Sequence, residues 1–160
     1  MKSVLILASL AVVALANPSL AADTAPKAEP VANGDPGTTA FAGDHMFKAF
    51  HGQAGVDRLV EDFVARNVAD PRIADIFANQ DLDNLRARLK EHFCFILGGG
   101  CTYTGKDMKT AHKDMGIQTA NFNALVENLQ TSMDKEGVPF RDQNRFLAKL
   151  APMKRVVVTR

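Results

Sequence analysis

The stretch that decides the fold runs from Tyr103 to Ile117 and reads YTGKDMKTAHKDMGI. It begins in a glycine-containing turn, and the residues that follow predict a short helix in which Met108 and His112 share one face. A histidine beside an apolar thioether on an otherwise polar helix is typical of a proximal haem ligand, because one ring nitrogen must reach iron while neighbouring side chains cover the porphyrin. The pattern also fits a core histidine hydrogen-bonded to a carbonyl group. The apolar helices elsewhere in the chain favour the first interpretation.

Length and composition indicate one domain with a substantial core. The chain has 160 residues, of which 46% are hydrophobic, with ten phenylalanines and no tryptophan. The first 21 residues differ in composition from the rest of the chain. Lys2 precedes an apolar run from Val4 to Ala16 that is too short to span a membrane, and small residues around Ala21 suit a signal peptidase. We therefore predict a secretory signal peptide over residues 1–21 and a periplasmic or secreted mature protein.

The net charge of the chain bears on which kinds of partner it can bind. The chain carries 19 Lys and Arg and 18 Asp and Glu, and removal of residues 1–21 takes away only Lys2, which leaves 18 of each sign. This balance gives no support for binding nucleic acid, which needs a positive surface to neutralise phosphates. Nor do we expect membrane association once the signal is cleaved.

Two boundaries follow from composition. Residues 22–43 are rich in Pro, Ala, Gly, Thr and Asp, which cannot bury much apolar surface, so we predict a flexible linker there. The folded domain is then residues 44–160. Within it, apolar residues recur with helical spacing over residues 53–68, 81–97 and 119–135, in a short helix after Pro71 and in a last helix built on Phe146 and Leu150. No run alternates with a period of two over strand length, so the predicted fold class is all-α.

The cysteines and remaining histidines leave several alternatives. If the protein is exported, Cys94 and Cys101 lie in an oxidising compartment. The sequence allows either a disulfide between them or two free thiols. Neither belongs to a C-x-x-C-H sequence, so any haem would be held non-covalently. His92 lies on the apolar stripe of its helix and reads as a core histidine, with a ligand route or sixth iron ligand as alternatives. His45 and His51 are expected to be exposed, and no histidine pair has the spacing of a zinc site.

An ordered set of short motifs resembles the group I truncated haemoglobins from about residue 46 to residue 158. The motifs are Glu61-Asp62-Phe63, Ala69-Asp70-Pro71-Arg72, Ile76-Phe77, Leu97-Gly98-Gly99, Tyr103-Thr104-Gly105, Asp107-Met108, His112, Gly116-Ile117, Phe122, Gly137-Val138-Pro139 and Ala151-Pro152. The resemblance implies a two-over-two helical sandwich that encloses one haem b, with His112 as the proximal iron ligand. It also implies that Arg88 reaches a haem propionate, although a solvated surface arginine is an equal alternative. The implied pocket residues are Val64, Phe77, Leu85, Arg88, Leu89, Phe93, Met108, Ile117, Phe122 and Val126.

The chain departs from the family pattern on the distal side of the implied haem. Val64 stands where the family usually has tyrosine, and Leu85 and Leu89 stand where polar residues such as glutamine are common. None of the three offers a hydrogen-bond donor to O₂, an interaction worth about 1.5–3 kcal/mol when charge-assisted. Its loss should weaken O₂ retention by roughly one to two orders of magnitude, and should affect CO and NO less.

The resulting prediction is a haem protein that reversibly binds O₂, NO or CO at a five-coordinate iron, for oxygen binding, oxygen transport or gas sensing. Its expected partners are the gas and an electron donor, and its expected state is a monomer or weak homo-oligomer. One alternative is a six-coordinate electron-transfer protein. Another is an enzyme that oxidises NO or acts as a peroxidase, which the missing distal donors argue against. A helical interaction module without haem is the fourth.

Overall fold

The computed structural model describes residues 34–159, which form eight α-helices and no strand. The all-α prediction is confirmed. The predicted signal peptide and the first part of the predicted linker, residues 22–33, lie outside the described residues. The helices are α1 (His45–Ala49), α2 (Gly52–Ala69), α3 (Ala74–Phe77), α4 (Leu82–Ile96), α5 (Met108–Ala111), α6 (Thr119–Glu136), α7 (Phe140–Leu150) and α8 (Lys154–Val157), with a 3₁₀ turn at Ala151–Met153.

The core lies between the long helices. Helix α2 packs against both α4 and α6, and α6 packs against α7. The apolar face of α2 is completely buried at Val56 and Val60, as its helical spacing requires. The rings of Phe93 and Phe146 meet edge to face at 5.1 Å, which connects α4 to α7 across the core.

Local signals set the ends of α4 and α6. The Asp81 carboxylate accepts the Asn84 amide at 3.0 Å and caps the start of α4. Gly98 follows the end of α4 with φ +83°, and an added Cβ there would lie 2.2 Å from the Gly43 carbonyl oxygen. Gly137 ends α6 in a left-handed conformation. These positions lie within a few residues of the boundaries that the sequence predicts.

The short helix predicted around Met108 is α5. It spans Met108–Ala111, and His112 is its C-terminal cap. Asp114 and Gly116 adopt positive φ values of 61° and 63°, which end the helical path. Met108 and His112 nevertheless stay one turn apart, since the His112 amide donates to the Met108 carbonyl at 3.2 Å.

A partly buried carboxylate, that of Asp62, joins α2 to α6. Asp62 accepts hydrogen bonds from Arg66, Ser132 and Lys135 at 2.5–2.8 Å. Burial by itself would raise the pKa of Asp62, but these donors outweigh it and lower the pKa to about 2. The carboxylate is therefore ionised in the folded protein at neutral pH and holds the two helices in register.

Residues 34–43, the last part of the predicted linker, contact the helical domain. The Phe41 amide donates to the Ile96 carbonyl at 2.8 Å, and Lys149 Nζ lies 3.0 Å from Thr39 Oγ1. The structure also joins Cys94 to Cys101 in a disulfide with a Cα–Cα distance of 5.7 Å. No described helix is both long and apolar enough to cross a membrane.

Candidate functional site

A cavity of about 780 Å³ opens between α2, α4, α5 and α6. This volume lies in the range typical of small-molecule and cofactor sites. The structure brings all eleven residues of the predicted site to its wall: Val64, Phe77, Leu85, Arg88, Leu89, Phe93, Met108, His112, Ile117, Phe122 and Val126. They come from five separate helices and the segment after α5, so the cavity exists only in the folded chain.

The His112 ring is held in one orientation. Its Nδ1 lies 2.7 Å from the carbonyl oxygen of Met108. Because a carbonyl can only accept, Nδ1 carries the proton and the lone pair lies on Nε2. Burial lowers the pKa of His112, although the hydrogen bond to Met108 opposes the shift, and so burial favours the neutral ring. A neutral imidazole with its lone pair on Nε2 and Nδ1 bonded to a carbonyl is the usual form of a metal-ligating histidine.

Another part of the cavity wall is apolar where the family commonly has polar groups. Val64 on α2 is completely buried, and Leu85 and Leu89 on α4 are partly buried. All three line the cavity. Their hydrocarbon side chains cannot donate or accept hydrogen bonds.

One rim of the cavity is charged and polar. Arg88 Nη1 contacts Glu91 Oε2 at 3.0 Å and also donates to the Thr104 hydroxyl, while Glu91 accepts the Thr104 amide at 2.9 Å. The Arg88 Nε is buried, and within residues 34–159 it has no hydrogen-bond acceptor. The Arg88 side chain lines the cavity and is 30% exposed, so it places a guanidinium group at this rim.

Some residues of the wall were not in the predicted site: Asn67, Ile73, Tyr103, Thr104, Met115 and Met153. Tyr103 and Thr104 belong to a motif that carried the resemblance, so the signal was present without an assigned role. His92 is buried and its ring is satisfied, as expected of a core histidine, but it also lines the cavity. Of the two histidines that were expected to be exposed, His45 is solvent-exposed, and His51 is exposed with its Nδ1 bonded to Glu136.

These residues fit a haem group. Haem presents a wide apolar disk, an iron atom at its centre and two carboxylates at one edge. The cavity offers apolar walls, an imidazole nitrogen with an available lone pair, and a partly exposed guanidinium group at the rim. Within residues 34–159 no cluster of three or more His, Cys, Asp or Glu side chains could hold a free metal ion.

A helical domain that encloses an apolar cavity with one oriented histidine has the architecture of a globin. A family model described as bacterial-like globin matches residues 45–159, and the chain belongs to that family. The match confirms the predicted fold family and implies that the protein binds haem iron.

Several relatives are group 1 truncated hemoglobins. The protein from Mycolicibacterium paratuberculosis is 29% identical over 114 residues, which cover 71% of this chain and 84% of the relative. The protein from Synechocystis is 32% identical over 98 residues, covering 59% of this chain and 79% of the relative. The crystal structure of truncated hemoglobin from Tetrahymena pyriformis in its Fe(III) form superposes with a TM-score of 0.69 at 26% identity, covering 72% of this chain and 98% of that one.

Proposed function

We propose that this chain is a haem b globin that reversibly binds a diatomic gas, O₂, NO or CO, at a five-coordinate iron ligated by His112. The observation that carries the proposal is the pairing of one oriented histidine with an apolar wall on the same cavity. The Met108 carbonyl fixes the proton of His112 on Nδ1, while Val64, Leu85 and Leu89 offer no side-chain ligand for a sixth position. A bound haem would supply the iron to which the gas attaches.

Arg88 is the residue that we assign to a haem propionate. Its side chain lines the cavity and is partly exposed, and a carboxylate beside the guanidinium would form a charge-assisted hydrogen bond. Thr104 and Glu91 hold the guanidinium in place. The apolar face of the porphyrin would be covered by aromatic and aliphatic side chains such as Phe77, Phe122 and Val126, all of which line the cavity.

The apolar distal wall predicts the order of gas affinities. O₂ gains negative charge when it binds to ferrous iron and so depends on a nearby donor, whereas CO depends on one much less. We therefore expect fast O₂ dissociation beside ordinary CO binding. That combination suits gas exchange or sensing better than oxygen storage, and it makes efficient NO oxidation an unfavourable role.

We also propose an oxidising location, periplasmic or secreted. The Cys94–Cys101 disulfide supports it, because structural disulfides persist mainly in oxidising compartments. Expression of the full chain in a bacterial host, followed by fractionation and N-terminal sequencing of the product, tests this. A mature product that starts after residue 21 is expected in the periplasm, and an intact chain in the cytoplasm would contradict the proposal.

The function itself is tested by absorption spectra of the haem-reconstituted protein in the ferric, ferrous and ferrous-CO states. A five-coordinate ferrous spectrum that converts promptly with CO is the expected result. A six-coordinate low-spin ferrous spectrum that resists CO would instead indicate an electron-transfer protein. Ligation of iron by His92 through Nε2 would require breaking its hydrogen bond to the Pro36 carbonyl at 2.8 Å.

A further inference from the structure

Residues 34–37, which we call the strap, pass behind the wall of the cavity on the side of His112. The strap does not itself line the cavity, but residues that it contacts do. A Cβ placed on Gly37 would lie 3.0 Å from Met108 Cγ and 3.5 Å from Met153 Cε, and one placed on Gly34 would lie 3.5 Å from the Tyr103 carbonyl oxygen. The strap is therefore in van der Waals contact with the back of the site.

Met108 connects the strap to the histidine. Its side chain packs beneath Gly37, and its carbonyl oxygen accepts the hydrogen bond from His112 Nδ1. A change in the position of Met108 would therefore change the orientation of the imidazole. Gly37 has φ +73° and no side chain, which allows this close approach.

His92 fastens the strap to α4. Its Nε2 lies 2.8 Å from the Pro36 carbonyl, and since a carbonyl only accepts, Nε2 must donate. The imidazole is 6% exposed, so water competes little for this bond. The Tyr103 ring packs against it with centroids 5.1 Å apart and limits its rotation.

From these contacts we propose that the strap positions the iron-ligating histidine through Met108, and that His92 is the positioning residue that fastens it. The inference rests on the proposed function, because it takes His112 as the iron ligand. The strap thus acts as an outer support for the side of the cavity that carries His112.

The first test compares two glycines in the haem-reconstituted full chain. Gly37→Ala and Gly43→Ala both place a side chain at positive φ, +73° and +67°, but only Gly37 has neighbours, since nothing lies within 4 Å of a Cβ on Gly43. We expect Gly37→Ala to shift the iron–histidine stretching band in the resonance Raman spectrum of the gas-free ferrous protein. It should also speed haem transfer to excess apomyoglobin about two- to tenfold. Gly43→Ala should match the parent in both measurements, and equal effects in the two variants would overturn the proposal.

The second test addresses His92. His92→Phe keeps an aromatic ring but removes the donor to Pro36, whereas His92→Gln retains an N–H donor on a side chain of similar reach. We expect His92→Phe to shift the iron–histidine band and speed haem transfer as Gly37→Ala does, and His92→Gln to restore both toward the parent values. An unshifted band in His92→Phe would overturn the role of His92.

Amide hydrogen exchange of the haem-free protein separates failure of the strap from failure of the proposed function. In His92→Phe, exchange of the segment over residues 34–41 should be about two- to tenfold faster than in the parent, and parent-like exchange would contradict the strap. Absence of a His112-dependent iron–histidine band in the parent protein would instead contradict the proposed function. The exchange measurement does not depend on haem binding, so it tests the strap even if the proposed function is wrong.

Discussion

The imidazole Nδ1 of His112 donates to the carbonyl oxygen of Met108 at 2.7 Å, one helical turn earlier in the chain. The hydrogen bond fixes the tautomer and aims Nε2 away from α5. The same carbonyl also accepts the backbone amide of His112 at 3.2 Å, so both N–H donors of that residue share one acceptor at the end of α5.

We predict that His112→Ala abolishes stoichiometric haem binding. The variant removes the imidazole that we propose as the iron ligand, while leaving the apolar walls unchanged. Haem titration followed by absorbance measures the loss. His45→Ala, a change at an exposed residue of α1, is the control and should bind haem like the parent. Full occupancy with an unchanged spectrum in His112→Ala would remove the central assignment.

We predict that a hydroxyl at position 64 slows O₂ dissociation. Val64 is completely buried and lines the cavity, so Val64→Tyr would place a donor near the gas. A charge-assisted donor should lower the O₂ dissociation rate about ten- to a hundredfold. Val64→Phe is the matched control, since it adds the same ring without the hydroxyl. Stopped-flow exchange of O₂ for CO measures the rates, and equal rates in the two variants would place the gas elsewhere.

A second position tests the same wall from α4. Leu85→Gln adds an amide donor, and Leu85→Met adds a side chain of similar length without one. We expect slower O₂ dissociation in Leu85→Gln alone, with CO association changed much less in either variant. Parent-like O₂ dissociation in Leu85→Gln would show that Leu85 lies too far from the iron to matter.

Asp62 should make stability depend on pH below about 4. Its pKa in the folded protein is about 2, against an ordinary value of 3.8 for an aspartate in the unfolded chain. The unfolded state therefore binds the proton more readily. The stabilisation, about 2 kcal/mol, is fully present above pH 4 and is lost as the pH falls toward 2. Asp62→Asn should therefore lower the free energy of unfolding in urea at pH 7 by about that amount, with a smaller difference near pH 2. Asp83→Asn, at a fully exposed side chain, should change it little.

The disulfide should stabilise the end of α4. Cys94 and Cys101 close a short loop, for which chain entropy predicts about 2–3 kcal/mol. The urea midpoint of the parent protein should fall when dithiothreitol is added, and the double variant Cys94→Ala with Cys101→Ser should show the lower midpoint without reductant. The double variant should not respond to dithiothreitol. A parent midpoint unaffected by full reduction would mean that packing around Cys94, which is completely buried, holds the segment by itself.

Much of the fold could be predicted from sequence because its signals are local. The apolar spacing from Val56 to Phe63 needs only the helical period, and Gly98 and Gly137 end helices through their own backbone conformations. Eleven predicted site residues line one cavity because helix faces carry their apolar residues inward together. The end of α5 was not predicted, because the positive φ of Asp114 is a conformation that few non-glycine residues adopt and that the local sequence does not specify.

Periodicity, helix breakers and motif spacing act over a few residues, so the sequence was sufficient to predict the all-α class, the order of the helices and a place for His112 in the cavity wall. Only the tertiary structure decided the tautomer of His112, the pairing of Cys94 with Cys101 and the packing of the strap. The His92–Pro36 hydrogen bond joins residues 56 positions apart. The sequence around His92 contains no signal for Pro36 as its partner, and the sequence around Pro36 contains none for His92. Such contacts depend on where the whole fold places two backbone segments, so they become visible only when the chain has folded.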